Sequence, residues 1–181
     1  MNREILFPTP IYFKMVKDPQ KMNKYLFPLI KAWSEKTESE RRTNAGGGWH
    51  SPPDMNRKKE YEPLTDELFT MQDEVFKDCS MEPKPGLGNM WANINYPGSY
   101  NKQHVHPNSQ WSGVYYIKVP KDSGKLFVED PRPGANVILA RRTPKLPKAL
   151  LRVIYYPAIE GQMIMFPAWL PHGVQINDSK E

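Results

Sequence analysis

The 181-residue chain carries 25 Lys and Arg against 20 Asp and Glu, a net charge of +5, with 39% hydrophobic and 25% charged residues. That suits one globular domain with a sizeable core, and its longest apolar run, Gly161 to Leu170, is far short of the roughly 20 residues that span a bilayer. The opening Met1 to Pro8 has neither a long apolar stretch nor a small-residue cleavage site, so no signal peptide is read; the single cysteine, Cys79, excludes an intramolecular disulfide and fits a reducing compartment such as the cytoplasm.

In chain order, residues 5–16 are β-branched and aromatic with two prolines, which predicts an edge strand. Asp18 is placed to cap a helix reaching about Lys36, in which Met22, Leu26, Leu29, Ile30 and Trp33 recur at helical spacing. Pro28 should kink that helix or split it. From Thr37 to Glu62 the composition is polar and rich in Gly and Pro, and holds Gly46-Gly47-Gly48-Trp49-His50-Ser51. There Trp49 and His50 read either as a lid or substrate wall, or as a packed tryptophan beside an exposed histidine. A second helix is expected over Thr65 to Lys77, with Leu68, Met71, Val75 and Phe76 inward, followed by a linker from Met81 to Gly88. Cys79, at the end of that helix, reads as a small buried apolar residue.

After Gly88 the texture changes. Short strand-like runs follow at Asn89–Tyr96, Trp111–Val119, Lys125–Glu129, Val137–Ala140, Leu151–Tyr156, Gln162–Phe166 and Gly173–Asn177, separated by turn signals such as Pro97-Gly98 and Glu160-Gly161. Helices first and then many short strands predict an α+β chain with a sandwich, barrel or jelly-roll body. The organisation is a single domain over 1–181, with a helical support region at 1–86 and a core at 87–181. Basic residues gather at Arg41-Arg42, at Arg57-Lys58-Lys59 and from Arg141 to Arg152. They read as a solvated surface, with nucleic acid left open but not favoured.

Three of the four histidines sit where metal chemistry needs them. On an extended segment residues i and i+2 project to one face, so His104 and His106 can reach one ion. His172 lies far downstream, after Phe166-Pro167-Ala168-Trp169-Leu170-Pro171, where one strand ends and another begins. Such a triangle of ligands leaves further coordination positions open, and imidazole suits iron, zinc, copper or nickel.

The run Tyr96-Pro97-Gly98-Ser99-Tyr100 into His104-Val105-His106-Pro107, then Ser112-Gly113-Val114-Tyr115-Tyr116, resembles the prolyl-hydroxylase-like branch of the 2-oxoglutarate/Fe(II) oxygenases. With Gly47-Gly48-Trp49, Trp91-Ala92-Asn93-Ile94-Asn95, Asp130-Pro131-Arg132 and Phe166 to Val174 in that order, it is more similar still to an oxygenase family of marine bacteria and phages. The resemblance implies a double-stranded β-helix (jelly-roll, cupin-like) with the N-terminal helices packed on one sheet. It implies Fe(II) held by His104, His106 and His172, 2-oxoglutarate as co-substrate, O2, and hydroxylation or a related oxidation of a substrate not named by the sequence. Tyr96 and Tyr116 match co-substrate tyrosines of that branch, and Ser112 and Asn93 are further candidates for the inward face. The setting implied is the cytoplasm of a bacterium or of a phage-infected cell.

The chain departs from the pattern twice. The second ligand of the pair is ordinarily a carboxylate and here is His106, which leaves the site one unit more positive. The family also carries an Arg or Lys on a further strand after the last histidine, to hold the distal carboxylate of 2-oxoglutarate. The sequence ends at Glu181, short of that position, so a longer chain is expected, with Arg132 as the alternative cation and association through an open sheet edge left open. Two rivals stand beside this reading: a cupin-like three-histidine metal enzyme that does not use 2-oxoglutarate, and a non-catalytic jelly-roll binding protein.

Overall fold

The computed structural model describes residues 1–2, 4, 6–40, 42–82, 86–136 and 147–181. The expected strand at Val137–Ala140 and most of the basic run after Arg141 lie outside them. Strand β1 (Tyr12–Met15) leads into helix α1 (Pro19–Lys36). The Asp18 carboxylate accepts from the Lys21 backbone N–H at 3.1 Å, satisfying a donor that the first turn would otherwise leave orphaned. Pro28 does not split the helix, which runs unbroken to Lys36. At its end the backbone N–H and the hydroxyl of Thr37 both donate to the Trp33 carbonyl, at 3.1 and 2.9 Å. Leu26 and Ile30 are buried, with Met22, Leu29 and Trp33 packed beside them.

The Gly-rich stretch supplies β2 (Asn44–Ala45) and β3 (Trp49–His50). Helix α2 (Glu62–Asp78) then begins three residues before the expected Thr65, because Pro63 fits the first turn, where its missing N–H costs nothing. Its inner face carries Leu64, Met71, Val75 and Phe76. No described helix is long and apolar enough to cross a membrane.

The remaining described strands are β4 (Asn93–Ile94), β5 (Tyr100–His104), β6 (Trp111–Tyr115), β7 (Leu126–Glu129), β8 (Val153–Tyr156), β9 (Gln162–Pro167) and β10 (His172–Val174). All strand pairs are antiparallel, in a three-stranded sheet ordered β1-β9-β6, a five-stranded sheet ordered β2-β5-β10-β7-β8, and the pair β3-β4. Strand β5 is not signalled by the sequence, since Asn101, Lys102 and Gln103 have weak strand preference. Pairing to β2 on one side and β10 on the other overrides that preference.

β9 is central in its sheet and buries both faces. Met163 and Met165 join a core with α1, α2 and Trp49. Ile164 and Phe166 join a second cluster with Leu126, Val128, Tyr156 and Leu170, which brings the two larger sheets together. Each such side chain contributes about 1.5–3 kcal/mol by leaving water. Gly173 permits the close fit of β10: a Cβ there would lie 2.6 Å from the Phe127 ring and 2.8 Å from the Asn101 carbonyl oxygen.

Candidate metal centre

Strand register brings two of the histidines together. His172 opens β10 and pairs directly with His104, the last residue of β5, on one side and with Val128 of β7 on the other. Cross-strand partners project to the same face, and the His104 and His172 rings lie 4.3 Å apart between centroids. His106 sits just past the end of β5, held by its backbone N–H donating to the Ala168 carbonyl at 2.9 Å. Its ring is 4.9 Å from each of the other two. The rings of His104 and His106 thus lie beside one another and beside His172, with β5 running into the pair and β6 following it.

Tautomers follow from the partners. The Nδ1 of His104 lies 2.7 Å from the Lys102 carbonyl oxygen, and that of His172 lies 2.8 Å from the Leu170 carbonyl oxygen. A carbonyl can only accept, so each Nδ1 carries a proton, and in the neutral ring the lone pair is on Nε2. The Nε2 atoms of His106 and His172 are 3.1 Å apart, and one nitrogen from each histidine falls within 4.8 Å of the others. Two nitrogens about 2.1 Å from one ion and at right angles would be separated by about 3.0 Å, whereas a tetrahedral angle would open that to about 3.4 Å. The His106–His172 separation fits one edge of an octahedron.

Electrostatics favour the neutral form of two of the candidate ligands. Burial, reinforced by the neighbouring His104, pushes His106 down to about 4. Burial likewise pushes His172 down to about 4, against the Leu170 hydrogen bond and with help from His104 and His106. Both rings are therefore neutral near pH 7, as metal binding requires.

Tyr116 follows the last residue of β6 and packs with Val114 into the cluster of Ile164 and Phe166; burial pushes its hydroxyl well above the ordinary tyrosine range. Ser112 pairs with Phe166 in register and shares that inner face by alternation. Phe166 in turn meets the His172 ring edge-on at 4.6 Å. Asn93 is exposed, and is the register partner of His50 in the β3-β4 pair. Tyr96 is exposed at the turn before β5. Arg132 lies exposed beyond β7 and forks onto Asp130, with Nε to Oδ1 at 2.9 Å and Nη2 to Oδ2 at 2.7 Å. Strand register gathers His104 and His172 and the Ala168 carbonyl tethers His106 beside them, while Ser112 and Tyr116 lie on the inner face of β6 with Val114.

Two residues join the centre that sequence reasoning did not assign to it. The Trp91 ring lies 5.5 Å from that of His106, and the His50 ring stacks on Trp91 at 5.5 Å with a 14° interplanar angle. His50 is buried rather than exposed or lid-forming, with Nδ1 2.6 Å from the Ser51 carbonyl oxygen. Trp49 turns away into the core, donating from Nε1 to the Thr37 carbonyl and meeting Trp33 edge-on. Only the position of His50 in a glycine-rich loop hinted at a role.

No curated protein matches this chain. Among solved structures it is similar to a Pseudomonas putida prolyl-4-hydroxylase, with a TM-score of 0.60 and 12% identity, covering 92% of this chain and 84% of that one. That likeness is one of fold. Residues 89–181, just over half of the chain and including all three clustered histidines, match the family model of the 2OG-Fe(II) oxygenases. The chain belongs to the 2OG-Fe(II) oxygenase family: it is a dioxygenase that uses Fe(II), 2-oxoglutarate and O2.

Proposed function

We propose that His104, His106 and His172 hold the iron through their Nε2 atoms, and that the enzyme hydroxylates a C–H bond of its substrate within a jelly-roll formed by the two larger sheets. The observation that carries this reading is the 3.1 Å approach of two imidazole nitrogens, with a third close by and the Nδ1 atoms of His104 and His172 each turned to a backbone carbonyl. Iron bound there, with 2-oxoglutarate, supplies oxygen activation coupled to release of CO2 and succinate. The residues do the rest. His104 and His172 are keyed by their Nδ1–H bonds, which fix the direction in which each Nε2 points. Phe166 and Leu170, both buried, keep water from the inner side of His172.

Ser112 and Tyr116 face the inter-sheet space beside His172 and are assigned to the co-substrate, with the tyrosine hydroxyl as donor. Tyr96 and Asn93 are assigned to the open side of the centre. Arg132 is the remaining candidate for the distal carboxylate of 2-oxoglutarate, a role that requires it to exchange its Asp130 partner. The proposed organisation is one domain over 1–181, with the helical region as support, and a cytoplasmic setting agrees with its single free thiol.

Two measurements test this together: Fe(II) uptake under anaerobic dialysis, and succinate formed from 2-oxoglutarate in air. His104→Ala and His172→Ala should each lose both, and retention of either property would remove that residue from the centre. His106→Asp should still take up metal, because a carboxylate restores the usual ligand chemistry, while His106→Ala should bind more weakly. Equal uptake by the parent and His106→Ala would contradict a ligand role for residue 106.

A further inference from the structure

The three histidines are not oriented by the same means. His104 and His172 each have a backbone carbonyl on Nδ1, which fixes the ring plane. Among the described residues His106 has no such bond; its only ring hydrogen-bond contact is with the Nε2 of His172. Its Cα lies beyond the end of β5, outside the ladder. A histidine with one backbone tether and no Nδ1 partner would be free to swing about χ1 and χ2, and a swinging ligand lowers metal affinity.

Among the aromatic rings of the described residues, the indole of Trp91 meets the His106 ring beside those of His104 and His172, tilted at 47°. The indole is itself held. His50 covers it in a near-parallel stack, and His50 is 4% exposed and tied by Nδ1 to the Ser51 carbonyl. Ser51 is locked to the residue after Trp91: its N–H donates to the Ala92 carbonyl at 3.0 Å, and its hydroxyl accepts from the Ala92 N–H at 3.0 Å. Two reciprocal bonds therefore fix the β3 and β4 backbones relative to each other, and the stacked rings carry that rigidity to His106.

We infer that Trp91 is a positioning residue of the iron centre, backed by His50: the flat indole sets the plane of the His106 imidazole, in place of the hydrogen bond that sets the other two. The inference rests on His106 being a ligand. It also accounts for the fourth histidine, which lies too deep in the β3-β4 pair to be a surface residue and belongs to no ligand set among the described residues.

The test is Co(II) titration of the full 181-residue chain, following affinity and the visible ligand-field spectrum, with thermal unfolding of the metal-free protein recorded alongside. Trp91→Leu fills space without a flat face, and Trp91→Phe keeps the face. Trp91→Leu should weaken Co(II) binding about tenfold, the low end for loss of a supporting contact, and shift the spectrum. Trp91→Phe should return both to near the parent values. His50→Leu should act in the same direction by a smaller factor. Equal Co(II) affinity and spectrum for Trp91→Leu and the parent would overturn the inference, as would an equal loss in Trp91→Leu and Trp91→Phe. His106→Ala is the control that separates the two ideas: if it binds Co(II) as the parent does, the ligand assignment has failed. If it binds weakly while Trp91→Leu does not, only the positioning role has failed.

Discussion

On one face of β9, Met163 and Met165 pack against the helical layer; on the other, Ile164 and Phe166 fill the space between the two larger sheets. The helical side joins two methionines to Leu26, Ile30, Trp49, Tyr61 and Val75, a broad core in which flexible side chains fill irregular gaps. The inter-sheet side is smaller, branched and aromatic, and it ends at the proposed metal ligand His172, which Phe166 touches. One strand thus serves two purposes. Its helical face anchors the fold, and its inner face transmits that order to the centre.

Substitutions on the two faces should separate these purposes. Phe166→Ala should have the largest effect, destabilising by about 3–5 kcal/mol and weakening metal binding, because the His172 ring loses the surface it rests on. Leu26→Ala, at a fully buried position of α1, should cost about 2–5 kcal/mol while leaving the metal affinity of the folded protein unchanged. Chemical denaturation combined with metal titration reads both quantities. Loss of affinity in Leu26→Ala equal to that in Phe166→Ala would erase the distinction between the faces.

A pH series sharpens the same contrast. His106 and His172 stand at about 4 in the folded protein, below the ordinary histidine value of about 6.5. Between those values the unfolded chain binds protons that the folded chain refuses, so stability of the metal-free protein falls as pH drops from about 6.5 towards 4. His172→Asn should flatten that dependence, and an unchanged slope would show that the inner histidine is not held neutral by burial. The smallest effect is expected far from the centre: Asp18→Ala should cost about 1 kcal/mol through loss of the α1 cap, with no change in the pH slope or in metal binding.

The histidine triad was legible because an i, i+2 pair and a distant partner after Phe166-Pro167 form a local pattern. The helices were legible too, through Asp18 and the spacing of Leu26, Ile30 and Trp33. Strand β5 was not, since Asn101 to Gln103 carry no strand signal and are ordered by pairing on both sides. The placing of His50 and Trp91 was equally hidden. The His50–Trp91 stack and the tilted contact of Trp91 with His106 depend on contacts between the β3-β4 region and the segment after β5, which no local pattern reports. Cys79, expected as a plain buried residue, is half-buried, with its sulfur 3.1 Å from the Tyr12 hydroxyl.

The central claim is that three Nε2 atoms share one iron. Its most direct test is an anomalous difference map at the iron absorption edge, from crystals of the chain prepared with Fe(II) under anaerobic conditions. The account predicts a single peak per chain about 2.0–2.2 Å from the Nε2 atoms of His104, His106 and His172. A peak bound by only two of them with the third turned away, or a peak elsewhere in the molecule, would contradict it.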